Sequence, residues 1–387
     1  MNAWIYPTSQ VLTKLMFGIL VLGLATGFYT LKPIIAYIFV LCAMGVLLSD
    51  HKFFRSPLLY VDLKMFVGFL IYNIFFFIHS LFFLVEARIY FVHIVSLGIF
   101  LLMYVYTRLV ILDQDPKKLN RAKMLIFVYV LCSLVILLCG QLAEMLGYIN
   151  PRMLDLDDGI RTYLIRPGGF LNPNVTAAIS LILLFISERC NSTKKIYIFL
   201  IPLVLTLIII FLSQSRAGIL ALLFYLAYLT FIRRSFPFLV LSITVVVLIS
   251  LGLIFSQIEV LNLFDRVVTR FSGDESSSTR WFLLRYGAEK FLEAPLLGNG
   301  YRYMTGAVGW SAHNEIIENL VNFGILGAVI IVFAIYLLYW PTSSPFIFFC
   351  IMPMFMFTHN FFETTSFQAS LGVALAIDRI DKYVKFR

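Results

Sequence analysis

Apolar runs long enough to cross a bilayer recur along the chain from Val11 onward, and they limit its possible folds more than any other feature. A helix needs about 20 mostly apolar residues to span the hydrocarbon core. The 387 residues are 61% apolar and 13% charged, whereas a soluble domain is nearer half and a quarter. An all-α polytopic membrane protein follows, with residues 1–387 as a single integral membrane domain. A β-barrel would show short alternating segments instead.

The length criterion gives about twelve transmembrane helices. They are expected near 11–29, 33–48, 58–84, 89–111, 123–148, 173–187, 196–212, 217–232, 236–257, 314–340, 345–361 and 364–380. No small-residue cleavage site follows the first run, which reads as a retained span. Of the five cysteines, Cys42, Cys132, Cys139 and Cys350 lie in apolar runs and none is in CxxC spacing. They read as packing residues, neither a disulfide framework nor a metal site.

The formal charge of +9 is not a nucleic-acid signature, because the basic residues gather in alternate connections. Lys52 and Arg55, then Lys117, Lys118, Arg121 and Lys123, precede Arg189, Lys194 and Lys195, then Arg233 and Arg234. The tail "DRIDKYVKFR" adds four more. The positive-inside rule puts these connections and both termini in the cytoplasm.

Two outward connections are long, 149–172 and 258–313. The second contains "SSSTRWFLLRYGAEKFLEAPLLGNG". Thr279 or a neighbouring Ser can cap a helix there, and Pro295, Gly298 and Gly300 end it. Trp281, Leu284, Ala288 and Phe291 share a face, predicting a short amphipathic helix against the outer membrane surface or the bundle mouth.

The densest polar cluster is "SAHNEIIENLVNFGILG", residues 311–327. Drawn as a helix, His313 leads one column, Asn314, Glu318 and Asn322 form the next, and Glu315 and Asn319 lie beside it. These columns cannot face lipid cheaply and should face the bundle or a wet cavity. The helix dipole disfavours imidazolium at His313 while Glu315 and Glu318 favour it, which together suit a general base. The plainer alternative is a polar helix cap with glutamates in interhelical hydrogen bonds.

Arginines form the second feature. In "FLSQSRAGIL", Arg216 follows Ser213, Gln214 and Ser215 at a tight turn. Its planar fork matches phosphate oxygens, and its plainer role is a snorkelling interfacial anchor. Arg280 falls in the predicted first helical turn, where the dipole disfavours a cation. Arg285 can pair with Glu289 four residues on.

In "RMLDLDDGIRTYLIRPGGFLNPN", Asp155 and Asp157 make a DxD pattern. Arg152, Arg161 and Arg166 compete for those carboxylates, and further oxygen ligands are lacking, so no metal site is expected. "GGFLNPN" reads as a capped turn with Asn172 or Asn174 bonding locally. "THNFFETTS" repeats the theme with His359 and Glu363, as cavity-lining groups or, more plainly, as a satisfied interfacial histidine. P-loop, dinucleotide, HExxH and GxSxG patterns do not occur, which leaves P-loop hydrolysis, redox and zinc proteolysis without support.

At "SQSRAG", "STRWFLLRYGAEKFLEAPLLGNGY", "SAHNEIIENLVNFGILG" and the upstream "GGFLNPN", the sequence resembles the O-antigen ligase and polymerase superfamily. By motif the resemblance covers roughly the C-terminal 220 residues; the rest is similar in topology alone. It implies a metal-independent, cofactor-free inverting glycosyltransferase at the periplasmic face of the bacterial inner membrane. The implied donor is a polyprenyl (undecaprenyl) diphosphate-linked glycan. The implied acceptor is lipid A–core for a ligase or another lipid-linked glycan for a polymerase, in lipopolysaccharide biosynthesis. His313 matches the motif histidine, and Arg216 and Arg280 match its two arginines. Arg166, Asn174, Arg285, Asn314, Glu318 and His359 are candidate cavity-lining residues. Asp155 and Asp157 match no motif position. The competing class is a non-enzymatic transporter such as a lipid-linked oligosaccharide flippase. That class favours internal repeats and mid-bilayer charges, whereas here the charges cluster at one face.

Overall fold

The computed structural model describes residues 18, 59–84, 87–112, 116–148, 168–191, 196–232, 275–309, 311, 314–339 and 364–385. The expected spans 33–48, 236–257 and 345–361, and 11–29 apart from Gly18, lie outside the described residues, as do Asp155, Asp157, Arg166, His313 and His359. Where the chain is described, all its regular structure is helical.

The other eight expected spans each coincide with a helix. They are α1 (Leu59–Phe82), α2 (Ala87–Leu112), α3 (Pro116–Met145), α4 (Pro173–Cys190), α5 (Ile196–Ser213), α6 (Arg216–Ala227), α9 (Glu315–Tyr339) and α10 (Thr365–Lys385). A π-turn, Tyr228–Ile232, continues α6. Two shorter elements lie between α6 and α9, namely α7 (Glu275–Glu293) and α8 (Tyr303–Val308). Among the described residues, four helical stretches are long and apolar enough to cross a membrane: Leu63–Phe82, Leu119–Met145, Pro173–Cys190 and Glu315–Leu338. The protein is an integral membrane protein.

Helix α3 begins seven residues before the predicted 123. Pro116 suits a first helical position, and Lys, Arg and Leu are good helix formers, so the basic connection is itself helical. Helix α10 likewise runs beyond 380 to Lys385.

Helix α10 is the axis of the bundle, every residue from Ser366 to Arg379 being buried. Its small and polar residues Ser366, Gln368, Ser370 and Gly372 allow that, because backbones approach closely where side chains are small. A Cβ at Gly372 would stand 2.4 Å from the Phe100 carbonyl oxygen on α2. Helices α2 and α10 run side by side in the same direction, and α4 packs against α10. On the other side α9 packs antiparallel to α1, with Gly68 against Ala334 and Leu338, and Gly327 against Phe75. Outward stripes on these two helices are apolar: Leu63, Phe66, Leu70, Ile74, Phe77 and Leu81 on α1, and Ile325, Val329, Val332 and Tyr336 on α9. Lipid offers such side chains the same environment as a core.

The two ends of the bundle differ chemically. One gathers the C-terminal ends of α2, α4 and α10, where Arg108 and Arg379 both donate to the Tyr104 hydroxyl. There Arg189 pairs with the buried Asp378 at 2.9 Å. The opposite end gathers the start of α9, the start of α2 and the segment 294–303.

The short helix α7 corrects the expected start. It begins at Glu275, so Ser276–Thr279 lie inside it and Thr279 is no cap. An acidic first residue complements the dipole, which draws the start a full turn upstream. Its packed face carries Leu283, 1% exposed, and Gly287 against Ile317 and Val321 of α9 and Met304 of α8. Trp281 is 74% exposed and Ala288 is also exposed, while Leu284 and Phe291 are half-buried. The seam follows glycine because only there can α9 come close enough; the larger apolar residues point outward. The helix ends where Pro295, Gly298 and Gly300 predict.

Candidate functional site

Helix α9 starts at the polar cluster. Asn314 caps it, its Oδ1 accepting from the Ile316 and Ile317 amides at 3.0 and 3.1 Å. Glu315 and Glu318 occupy the first turn, where carboxylates complement the dipole. Both are buried, as are Asn319 and Asn322, so the polar columns face the bundle as their chemistry requires. The Asn319 side chain donates to the Glu315 carbonyl at 2.7 Å.

Two turns on, the helix breaks. Gly324 has φ 66° and ψ −170°, a region open essentially to glycine alone. The backbone groups freed by the break bond to the loop after α7. Asn299 and Gly300 amides donate to the Val321 and Asn322 carbonyls at 2.8 and 3.1 Å. Ile325 and Leu326 amides donate to the Pro295 and Leu296 carbonyls at 2.8 and 3.2 Å. His79 of α1 donates through Nε2 to the Leu297 carbonyl at 3.1 Å. The loop thus stands in for the missing helical ladder, satisfying the groups that hydrocarbon would leave unpaired.

This stitching delivers Tyr301 and Arg302 to the start of α9. The Tyr303 amide donates to Asn322 Oδ1 at 3.2 Å, and Arg302 turns into the left-handed region at φ 57°. The Tyr301 hydroxyl lies 2.7 Å from Nε2 of His93, whose Nδ1 lies 3.3 Å from the Tyr72 hydroxyl. His93 is only 3% exposed. A small pocket forms between these groups, with Glu315, Glu318, Asn319 and Asn322 on one wall. Tyr72, His93, Tyr301 and Arg302 make the other, and Phe323 completes the lining.

A second polar constellation lies at the start of α4 and α6. Asn172 caps α4, accepting from the Asn174 amide at 3.0 Å, with Pro173 at the first helical position. Ser215 caps α6, accepting from the Gly218 amide and donating to Asn174 Oδ1 at 3.0 Å. Arg216 is therefore the first residue of α6 and is half-buried. A cation at a helix N-terminus is disfavoured by the dipole, so helix stability does not account for it there. For Arg280 the same argument lapses, because the earlier start of α7 moves it into the second turn. Its side chain lies outside the described residues. Arg285 is 83% exposed and pairs with Glu289 at 3.0 Å, as its spacing predicts. Behind "GGF", Glu144 accepts from the Gly168 and Gly169 amides at 2.7 and 2.6 Å.

Residues 201–332 match the family model described as O-antigen ligase. That stretch is similar to the O-antigen ligase family. The matched stretch holds Arg216, Arg280, position 313, the stitched loop and the α9 wall of the pocket. It bears out the resemblance to the O-antigen ligase and polymerase superfamily and supports an enzyme of glycosyl-transfer type acting on lipid-linked glycans. No curated protein matches the chain.

Of the expected site residues, the structure puts Glu318 in the pocket and Asn314 at the cap beside it. Asn174 and Arg216 lie together at the other constellation. Sequence reasoning passed over Tyr72, His93, Tyr301, Arg302 and Glu144. One signal was available for His93: an imidazole inside an apolar span is a functional default.

Proposed function

We propose that this protein transfers a glycan from a polyprenyl (undecaprenyl) diphosphate carrier to an acceptor sugar hydroxyl. The reaction takes place at the periplasmic face of the bacterial inner membrane, as O-antigen ligase or O-antigen polymerase. His313 takes the proton from the acceptor hydroxyl. The oxygen attacks the anomeric carbon, the bond to the diphosphate breaks, and the diphosphate leaves with the electron pair. Arg216 and Arg280 neutralise the charge that grows on it. Neither metal nor cofactor is assigned a role.

The observation that supports this reading is the polar pocket directly after position 313, lined by residues of the matched stretch together with Tyr72 and His93. Burying two carboxylates and two amides there is costly for stability, and polar groups kept at such a cost inside a membrane bundle are a functional default. The break in α9 favours a second reading, since transporters bind substrates at discontinuous helices. Here, however, Val321 O, Asn322 O, Ile325 N and Leu326 N are all bonded to the 295–300 loop. The break presents a loop, not an ion site, and the transferase reading stands ahead.

A deletion strain tests it. Lipopolysaccharide gels paired with analysis of lipid-linked intermediates should show loss of long chains. Accumulated polymerised lipid-linked glycan marks a ligase, and core capped by a single repeat marks a polymerase. Unchanged long chains and unchanged intermediates would contradict both.

A further inference from the structure

Arg216 is placed by contacts that trace back to one helix, α3. It opens α6, so its side chain leaves from wherever the first turn of that helix is set. Two residues before it, Gln214 turns at φ 49°, a left-handed conformation that a residue other than glycine keeps only where its surroundings impose it. The Ser215 hydroxyl donates to Asn174 Oδ1 at 3.0 Å and accepts the Gly218 amide at 3.1 Å. Gly218 lies so near α4 that a Cβ there would stand 2.8 Å from the Ala177 Cβ. On α5, which leads into this turn, the Ile209 carbonyl accepts from the Gln141 side chain at 3.1 Å.

Asn174 is set in its turn by "GGF". Glu144 is 4% exposed and accepts the Gly168 and Gly169 amides at 2.7 and 2.6 Å, the short lengths of charge-assisted bonds. Thr176 closes the turn by donating to the Gly168 carbonyl at 2.7 Å. A Cβ at Gly140 would meet the Phe170 ring at 3.0 Å. Gln141 and Glu144 are neighbours on one face of α3. One stretch of that helix therefore fixes both α5, which delivers Arg216, and the start of α4, which grips its capping serine. A buried carboxylate is a costly way to hold a turn. What it secures here is the relative placing of two helix starts. A guanidinium fork needs such placing, because its bonds to phosphate are directional and tolerate only about 0.5 Å of error.

We infer that Glu144 and Asn174 are positioning residues for Arg216. Glu144 acts by fixing the "GGF" turn, and Asn174 by holding Ser215, the cap of the helix that Arg216 opens. The inference rests on the reading of Arg216 as a diphosphate-binding group and extends that site to residues acting through the arginine.

Calorimetric titration of farnesyl diphosphate, a short polyprenyl diphosphate, into the full-length protein in lipid nanodiscs tests this. Arg216→Lys keeps the charge and loses the fork, and should weaken binding at least about threefold. Asn174→Ala and Glu144→Ala should each weaken it at least about threefold in the native background. With Lys at position 216 the same two changes should weaken it by less than about 1.5-fold, because a point charge on a flexible stem depends less on placement. Glu144→Gln keeps an oxygen facing the two amides and should stay within about twofold of native affinity. A residue that only supports the fold would weaken binding by the same factor in both backgrounds, and that result overturns the inference. Native affinity in both alanine variants overturns it too, and Glu144→Gln as weak as Glu144→Ala removes Glu144 from it. Where Glu144→Ala fails to fold, Glu144→Gln and the half-buried Asn174→Ala decide. Native affinity in Arg216→Lys, or no binding by the native protein, sinks the diphosphate reading and this inference with it. A weakened Arg216→Lys beside unaffected alanine variants sinks this inference alone.

Discussion

Gly324 shows what a single residue decides in this protein. Its φ of 66° and ψ of −170° place it where a side chain is strained. A Cβ there would also stand 2.3 Å from the Leu296 carbonyl oxygen and 2.7 Å from the Gly298 amide. Gly324→Ala is expected to cost at least the roughly 1–3 kcal/mol of such backbone strain, read as a lower unfolding midpoint in detergent. Gly306→Ala is the control, since a Cβ there meets nothing within 4 Å. Equal midpoints for the two variants would contradict the stitched helix. The polar residues of this region were legible in the sequence, because carboxylates and amides in an apolar run have few places to go. Gly324 was legible only as part of a motif. Its reason, a loop arriving from 25 residues upstream to fill a broken helix, depends on contacts that no local pattern encodes.

Among the elements, spans were the easiest to read. Length and hydropathy put α1, α2, α4, α5 and α9 within a few residues of their places, since hydrocarbon forces helix wherever it is crossed. In α7, periodicity picked out the large apolar residues, of which Trp281 points away from the protein, while the side packed on α9 is made by Leu283 and Gly287. The junction of α3 and α4 was half legible. Asn172 and Pro173 announce a helix start, but Glu144, distant in sequence, is the group that holds "GGF" in place. A Cβ at Gly169 would stand 2.8 Å from the Gly140 carbonyl carbon, so this turn is pressed onto α3. Glu144→Ala leaves two buried amides without an acceptor and should cost about 1–3 kcal/mol for each. Glu144→Gln keeps one acceptor oxygen and should cost less. Unfolding in detergent checks the order, and an Ala variant as stable as the native protein would contradict it.

At the scale of the whole molecule, the account depends on two chemically distinct ends. The Arg108, Arg189 and Arg379 cluster lies at one, which the proposed topology puts in the cytoplasm by the positive-inside rule. The α9 pocket, α7 and the caps of α4 and α6 lie at the other. Arg285→Cys, on the exposed face of α7, should be labelled by a membrane-impermeant thiol reagent applied to cells with a permeabilised outer membrane and an intact inner one. Labelling only after the inner membrane is opened would invert the topology and remove the periplasmic reaction. The catalytic claim needs a sharper measurement: glycan transfer by His313→Ala, with membrane insertion and protein level verified, in a strain lacking the native gene. Loss of a general base should lower transfer by about 10²–10⁴-fold; transfer above about a tenth of the native rate would contradict His313 as the base.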